Sequence, residues 1–93
     1  MIKCESLDEV RENIDRIDNE IIRLIAERGG YVKQAAAFKK SEDGVRDSGR
    51  VAAVIATARD NAAKYGAEPD VVETVYRNMI AAFIGMEMKE FNK

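Results

Sequence analysis

An arginine stands where an apolar residue is due. Leu7, Val10, Ile14, Ile17, Ile21 and Leu24 recur at alternating spacings of three and four, and the next positions of that seam are Arg28, Tyr31, Ala35 and Phe38. Such a period is one apolar stripe along a single helix. A cation inside the stripe has to give up water, which is costly unless an anion meets it. On a continuing helix, Lys39 follows Arg28 by eleven residues, about three turns, and so points nearly the same way. Two inward cations beside an apolar seam point to a built anion site. The plainer alternative is that Arg28 snorkels past its neighbours into water.

The 93 residues have the size of one small domain, 1–93. The chain is 46% hydrophobic and 34% charged with one proline, which suits an all-helical domain and argues against disorder. Its net charge of −2 gives no global attraction to nucleic acid or to a membrane surface, so the basic residues act locally if they act at all. Cys4 is the only cysteine, which excludes an intrachain disulfide; without a histidine or a second thiol it reads as inert. No apolar signal segment lies between Met1 and Asp8, and no stretch is apolar enough to span a bilayer, so the expected compartment is the cytoplasm. The absence of histidine removes the usual triads and histidine-based metal sites.

Three helices are predicted. Ser6-Leu7-Asp8-Glu9 reads as a capping box, with Ser6 as N-cap and Glu9 reaching back. The first helix then follows the seam to about Lys40. Gly29-Gly30 is its weak point, at roughly 1 kcal/mol per glycine relative to alanine. Continuity is favoured because Tyr31, Ala35 and Phe38 keep the phase set by Leu7. Ser41-Glu42-Asp43-Gly44 reads as a loop. Asp47 or Ser48 caps the second helix, which runs through Val51, Val54, Ile55, Ala58, Ala62 and Tyr65 and stops at Gly66. Pro69 suits the first turn of the third, whose apolar face carries Val72, Val75, Tyr76, Met79, Ile80, Phe83 and Ile84. A continuous first helix measures roughly 50 Å, against about 30 Å for the diameter of a compact globule of this length. A partner chain is the natural cover, so a helical homodimer is expected; a monomeric three-helix bundle requires a break at Gly29-Gly30.

Further charges stand out around the seam. Arg11 lies one line to its side, with Asp18, Ile25, Val32 and Lys39. Within one helix it is about 40 Å from Lys39, so the two share a small ligand only across an antiparallel dimer. The bland reading pairs Arg11 with Asp8 or Asp15 on the surface. Arg46 and Arg50 flank the start of the second helix, where free N–H groups favour anions; solvated loop charges are the alternative. Glu87 continues the stripe of the third helix, four residues after Phe83 and four before Phe91. Its bland reading is a frayed last turn in water. Met79, Met86 and Met88 read as gap-filling apolar residues.

The ordered set Val10-Arg11-Glu12-Asn13-Ile14-Asp15-Arg16-Ile17-Asp18, Ala26-Glu27-Arg28, Tyr31-Val32-Lys33, Phe38-Lys39, Val45-Arg46-Asp47 and Arg50-Val51 resembles the all-helical chorismate mutase family, whose members include isochorismate pyruvate lyases. The resemblance runs from about Ser6 to Phe91. It implies an intertwined homodimer with two sites, each taking an arginine from the other subunit. It implies that Arg11 is the donated residue and that Arg28 lies in the site, both holding substrate carboxylates with Arg50 in support. Lys39 then faces the ether oxygen whose C–O bond breaks. Glu87 stands where many members have glutamine as a second donor to that oxygen, and only a protonated glutamic acid donates. Asp47 falls near the ring hydroxyl. Val51 replaces a glutamate that contacts this hydroxyl in some mutases. Val51, Phe83 and Tyr31-Val32-Lys33 look closer to the lyase branch, and Asp47 closer to the mutases.

The side-chain inventory suits such chemistry. A pericyclic rearrangement of a dicarboxylate needs no nucleophile, proton shuttle, metal or cofactor. It needs a confined conformer and positive charge beside an oxygen that becomes electron-rich as its bond breaks. Arginines hold carboxylates bidentately, and a lysine supplies a compact charge. The activity that the resemblance implies is chorismate mutase, turning chorismate into prephenate. Isochorismate pyruvate lyase is the alternative within the class, and a non-catalytic helical dimerisation module is the alternative outside it. The module gives no reason to set Arg28, Lys39 and Glu87 on inward faces.

Overall fold

The computed structural model describes residues Met1–Lys93, and it is all-helical. The three predicted helices are α1 (Leu7–Ala36), α3 (Ser48–Tyr65) and α4 (Pro69–Phe91). A five-residue helix, α2 (Glu42–Arg46), occupies the segment that reads as a loop. The backbone divides into two compact units, Met1–Tyr31 and Val32–Lys93, with the boundary inside α1. No helix is long and apolar enough to cross a membrane.

In the first unit, the start of α1 is closed from both sides. The Glu9 backbone N–H donates to Ser6 Oγ at 3.1 Å, and the Glu9 carboxylate accepts from the Glu5 N–H at 2.9 Å. The acid thus reaches one residue further back than the N-cap. Asp8 and Glu9 in the first turn complement the helix dipole. The helix passes through Gly29-Gly30 without a break, so its 30 residues extend roughly 45 Å. Its apolar seam stays uncovered: Leu7 is 60% exposed, Ile14 50% and Leu24 53%.

In the second unit, α1 stops at Ala36, short of the expected end near Lys40. The N–H groups of Ala37, Phe38 and Lys39 bond to the carbonyls of Gln34, Ala35 and Ala36 at 3.0–3.3 Å, a tightened three-residue closure. Ser41 then caps α2 from an extended backbone (φ −156°, ψ 164°), so the turn between the two helices spans 37–40. Phe38 thereby leaves the seam and stands exposed. Lys39 is no longer on α1, and helical phase with Arg28 does not place it.

Asp47 joins two helices. It closes α2 through its N–H and caps α3 with its carboxylate, which accepts from the Arg50 N–H at 3.0 Å. Its φ of 31° is the only positive value outside glycine, and aspartate tolerates that left-handed region better than most residues. Gly66, at φ 74°, ends α3: Ala67 N–H bonds to Ala62 O at 2.8 Å and Gly66 N–H to Ala63 O at 3.3 Å, a Schellman closure. Pro69 opens α4, where its missing N–H costs nothing. α3 and α2 both pack on α4. The core is small: Ala36, Val45, Ile55, Ala58, Ala62 and Ile80. At its edge Arg59 of α3 pairs with Asp70 at 3.0 Å and Glu73 at 2.9 Å, and Arg77 pairs with the same Glu73 at 2.7 Å.

Candidate active site

The turn after α1 and the C-terminal part of α4 bring a lysine and a glutamate together. Lys39 Nζ lies 3.2 Å from Glu87 Oε2, and it donates to the Gly44 carbonyl at 3.1 Å. Glu87 is only 6% exposed, while the Lys39 side chain is 26% exposed. Helix α4 continues to Phe91, so Glu87 is not in a frayed turn. A carboxylate this buried is costly unless a cation meets it, and Lys39 does. Of the three N–H donors of an ammonium, the Gly44 carbonyl takes one, and the contact with Glu87 is an ion pair without hydrogen-bond direction. Donor capacity remains for a ligand oxygen.

Gly44 and Ser41 hold the surroundings of Lys39, which the pattern of apolar positions does not reveal. The Gly44 N–H donates to Ser41 Oγ at 3.1 Å, and the Val45 N–H bonds to the Ser41 carbonyl at 3.2 Å. Val45 is buried, and Asn92 at the end of α4 donates to Glu42 at 3.5 Å, which ties α2 to α4. The available signal was Ser41 followed by Glu42 and Asp43, an N-cap with acids in the first turn.

The other expected site residues fall as follows. Arg50 is exposed near the start of α3. Asp47 is exposed too, with one carboxylate oxygen engaged in capping. Arg46 pairs with Glu42 and Asp43 on its own short helix, the solvated arrangement. Val51 is half-buried. Arg11 and Arg28 belong to the first unit. Arg28 is half-buried, so it does not simply extend into water. Arg11 is exposed and pairs with neither Asp8 nor Asp15. No three His, Cys, Asp or Glu side chains converge as a metal ligand set requires. Cys4 is free and half-buried, with the Asn13 amide 3.7 Å from its sulfur.

Comparison with known proteins gives the family of the chain. Residues 10–88 match the family described as chorismate mutase type II. An isochorismate pyruvate lyase of Pseudomonas aeruginosa is 35% identical over 86 residues, covering 92% of this chain and 85% of that protein. A chorismate mutase of Methanocaldococcus jannaschii is 51% identical over 35 residues, covering 38% of this chain and 35% of that protein. The chain belongs to the chorismate mutase type II family and is an enzyme of it.

Proposed function

We propose that the protein is a chorismate mutase, rearranging chorismate to prephenate. The observation that carries this reading is the Lys39 ammonium beside the buried Glu87 carboxyl, in a chain whose family match spans both residues. In the rearrangement the ether C–O bond breaks as a C–C bond forms, and negative charge grows on the departing oxygen. Lys39 donates its remaining N–H to that oxygen. Glu87, when protonated, is a second donor. Such preorganised donors are worth most where water is excluded. Arg11 and Arg28 hold the two carboxylates, Arg50 adds positive charge, and Asp47 lies near the ring hydroxyl.

Arg11 reaches this site from a second copy of the chain. The uncovered seam of α1 and the small core support that assembly. Roughly half-exposed Leu7, Ile14 and Leu24 stand to gain on the order of 25 cal/mol for each Å² that a partner covers.

A second reading has its own support. The relative aligned along 92% of the chain is an isochorismate pyruvate lyase, and Val51 supplies no polar contact to a ring hydroxyl. In that reaction the same cations hold the dicarboxylate while pyruvate departs and salicylate forms. Incubation with chorismate and isochorismate separately, followed by product identification by NMR, decides. Prephenate from chorismate is the expected result. Salicylate and pyruvate from isochorismate alone establish the lyase. No product from either leaves a helical dimerisation module.

A further inference from the structure

We propose that Ser41 is a positioning residue for the Lys39 ammonium, acting through the one-turn helix α2. The inference rests on the reading of Lys39 as the cation at the breaking bond. It concerns what fixes that cation in place.

The long lysine side chain carries a mobile charge unless something holds it. Here the Gly44 carbonyl accepts from Nζ at 3.1 Å. That carbonyl belongs to the peptide joining Gly44 to Val45. The N–H of the same peptide bonds to the Ser41 carbonyl at 3.2 Å, and the preceding peptide N–H bonds to Ser41 Oγ at 3.1 Å. Ser41 therefore grips the turn twice, by main chain and by hydroxyl, and the far end of the gripped peptide is aimed at Lys39. Hydrogen bonds in series across one peptide polarise each other in the same direction.

The hydroxyl matters because α2 is only five residues long. A helix of this length has no stability of its own; its geometry comes from its caps and its packing. Packing is supplied by buried Val45 and by the Glu42–Asn92 bond. Those contacts hold α2 against α4, and the Ser41 hydroxyl adds a bond to the first turn itself. A Cβ built on Gly44 would sit 3.6 Å from Ser41 Oγ and 3.9 Å from the Cβ of Lys39, ordinary contact distances that show how closely the three residues pack.

The test compares Ser41→Ala, Ser41→Asn and Ser6→Ala in the full chain. Asparagine caps as well as serine and adds no charge. Ser6 Oγ accepts the equivalent capping bond from the Glu9 N–H at the start of α1, remote in sequence from Lys39, so its removal controls for general loss of stability. The first readout is the exchange rate of the Lys39 ammonium protons, followed by 15N-edited NMR at mildly acid pH and low temperature. Exchange is expected to accelerate several-fold in Ser41→Ala, and to stay at the wild-type rate in Ser41→Asn and Ser6→Ala. The second readout is turnover, where kcat of Ser41→Ala falls about fivefold with KM little changed, because Lys39 acts mainly in the transition state. Wild-type exchange in Ser41→Ala, failure of Ser41→Asn to restore it, or an unchanged kcat each overturns the proposal. A wild-type protein inert toward both chorismate and isochorismate overturns the functional reading instead, and the exchange rates still decide what Ser41 does.

Discussion

Lys39 Nζ stands 3.2 Å from Oε2 of Glu87, and the contact lacks the direction of a hydrogen bond. Without substrate, the two groups that the proposed reaction needs at one ether oxygen neutralise each other. In the proposed reaction an entering ether oxygen takes an N–H of the ammonium, and the Glu87 carboxyl adds a second donor only in its protonated form. The lysine is also what makes a buried acid tolerable.

Loss of the lysine should therefore damage rate more than binding. Lys39→Ala is expected to lower kcat on the order of 10²–10³-fold, the usual effect of removing one preorganised donor to a developing oxyanion. Arg50→Ala, which removes only supporting charge, should lose less and mainly through KM. Lys39→Ala also leaves Glu87 buried without its cation, so its melting temperature should fall. Steady-state kinetics and thermal denaturation check both parts. A Lys39→Ala enzyme near wild-type kcat removes Lys39 from the mechanism.

Glu87 is tested as the second donor to the ether oxygen. Glu87→Gln keeps an N–H donor at that place and should keep turnover. Glu87→Ala loses the donor and should lower kcat. Equal losses in the two variants show that the carboxyl is no donor, and full activity in Glu87→Ala places it outside the site.

Acid stability should report on a different carboxylate. Hydrogen bonds from Arg77 and then Arg59 hold Glu73 below the usual glutamate range. A depressed folded-state value means that the stabilisation is present above the unfolded-state value and is lost as pH falls through the folded one. Glu73→Gln should melt below wild type at neutral pH, and the difference should shrink as the pH drops below the ordinary carboxylate range. Melting temperatures across that range check it; a constant difference means that packing of the side chain, not its charge, is what the mutant loses.

The helices were legible because their signals are local. Ser6, Asp47, Gly66 and Pro69 each punctuate the chain through their own backbone chemistry, and all four do so in the structure. The end of α1 was not legible. Phe38 keeps the seam's phase in sequence, but the chain tightens into three-residue bonds from Gln34 to Lys39 and the α-helix ends at Ala36. Lys39 and Glu87 could be nominated separately, from charge and from an interrupted stripe. Their meeting depends on the turn and on α2, which periodicity does not encode. The Arg59 network was missed for a related reason: Glu73–Arg77 follows helical spacing, but the bonds from Arg59 to Asp70 and Glu73 cross between helices.

The assembly can be tested through the two arginines of the first unit. The uncovered α1 seam leads us to expect a dimer with little folded monomer at micromolar concentration, which light scattering reads directly. Arg11→Ala and Arg28→Ala homodimers should each be almost inactive, since each empties a carboxylate contact in both sites. Exposed Arg11 pairs with no neighbouring acid, which leaves its guanidinium available to a second chain. A mixed dimer of the two mutants then places both substitutions in one site and leaves the other intact. It should recover about half of the wild-type activity per dimer, because whole sites and not side chains are being counted. If both arginines served their own subunit's site, every site of the mixed dimer would lack one of them. A well-formed heterodimer, separated by two different affinity tags, would then stay as inactive as its parents.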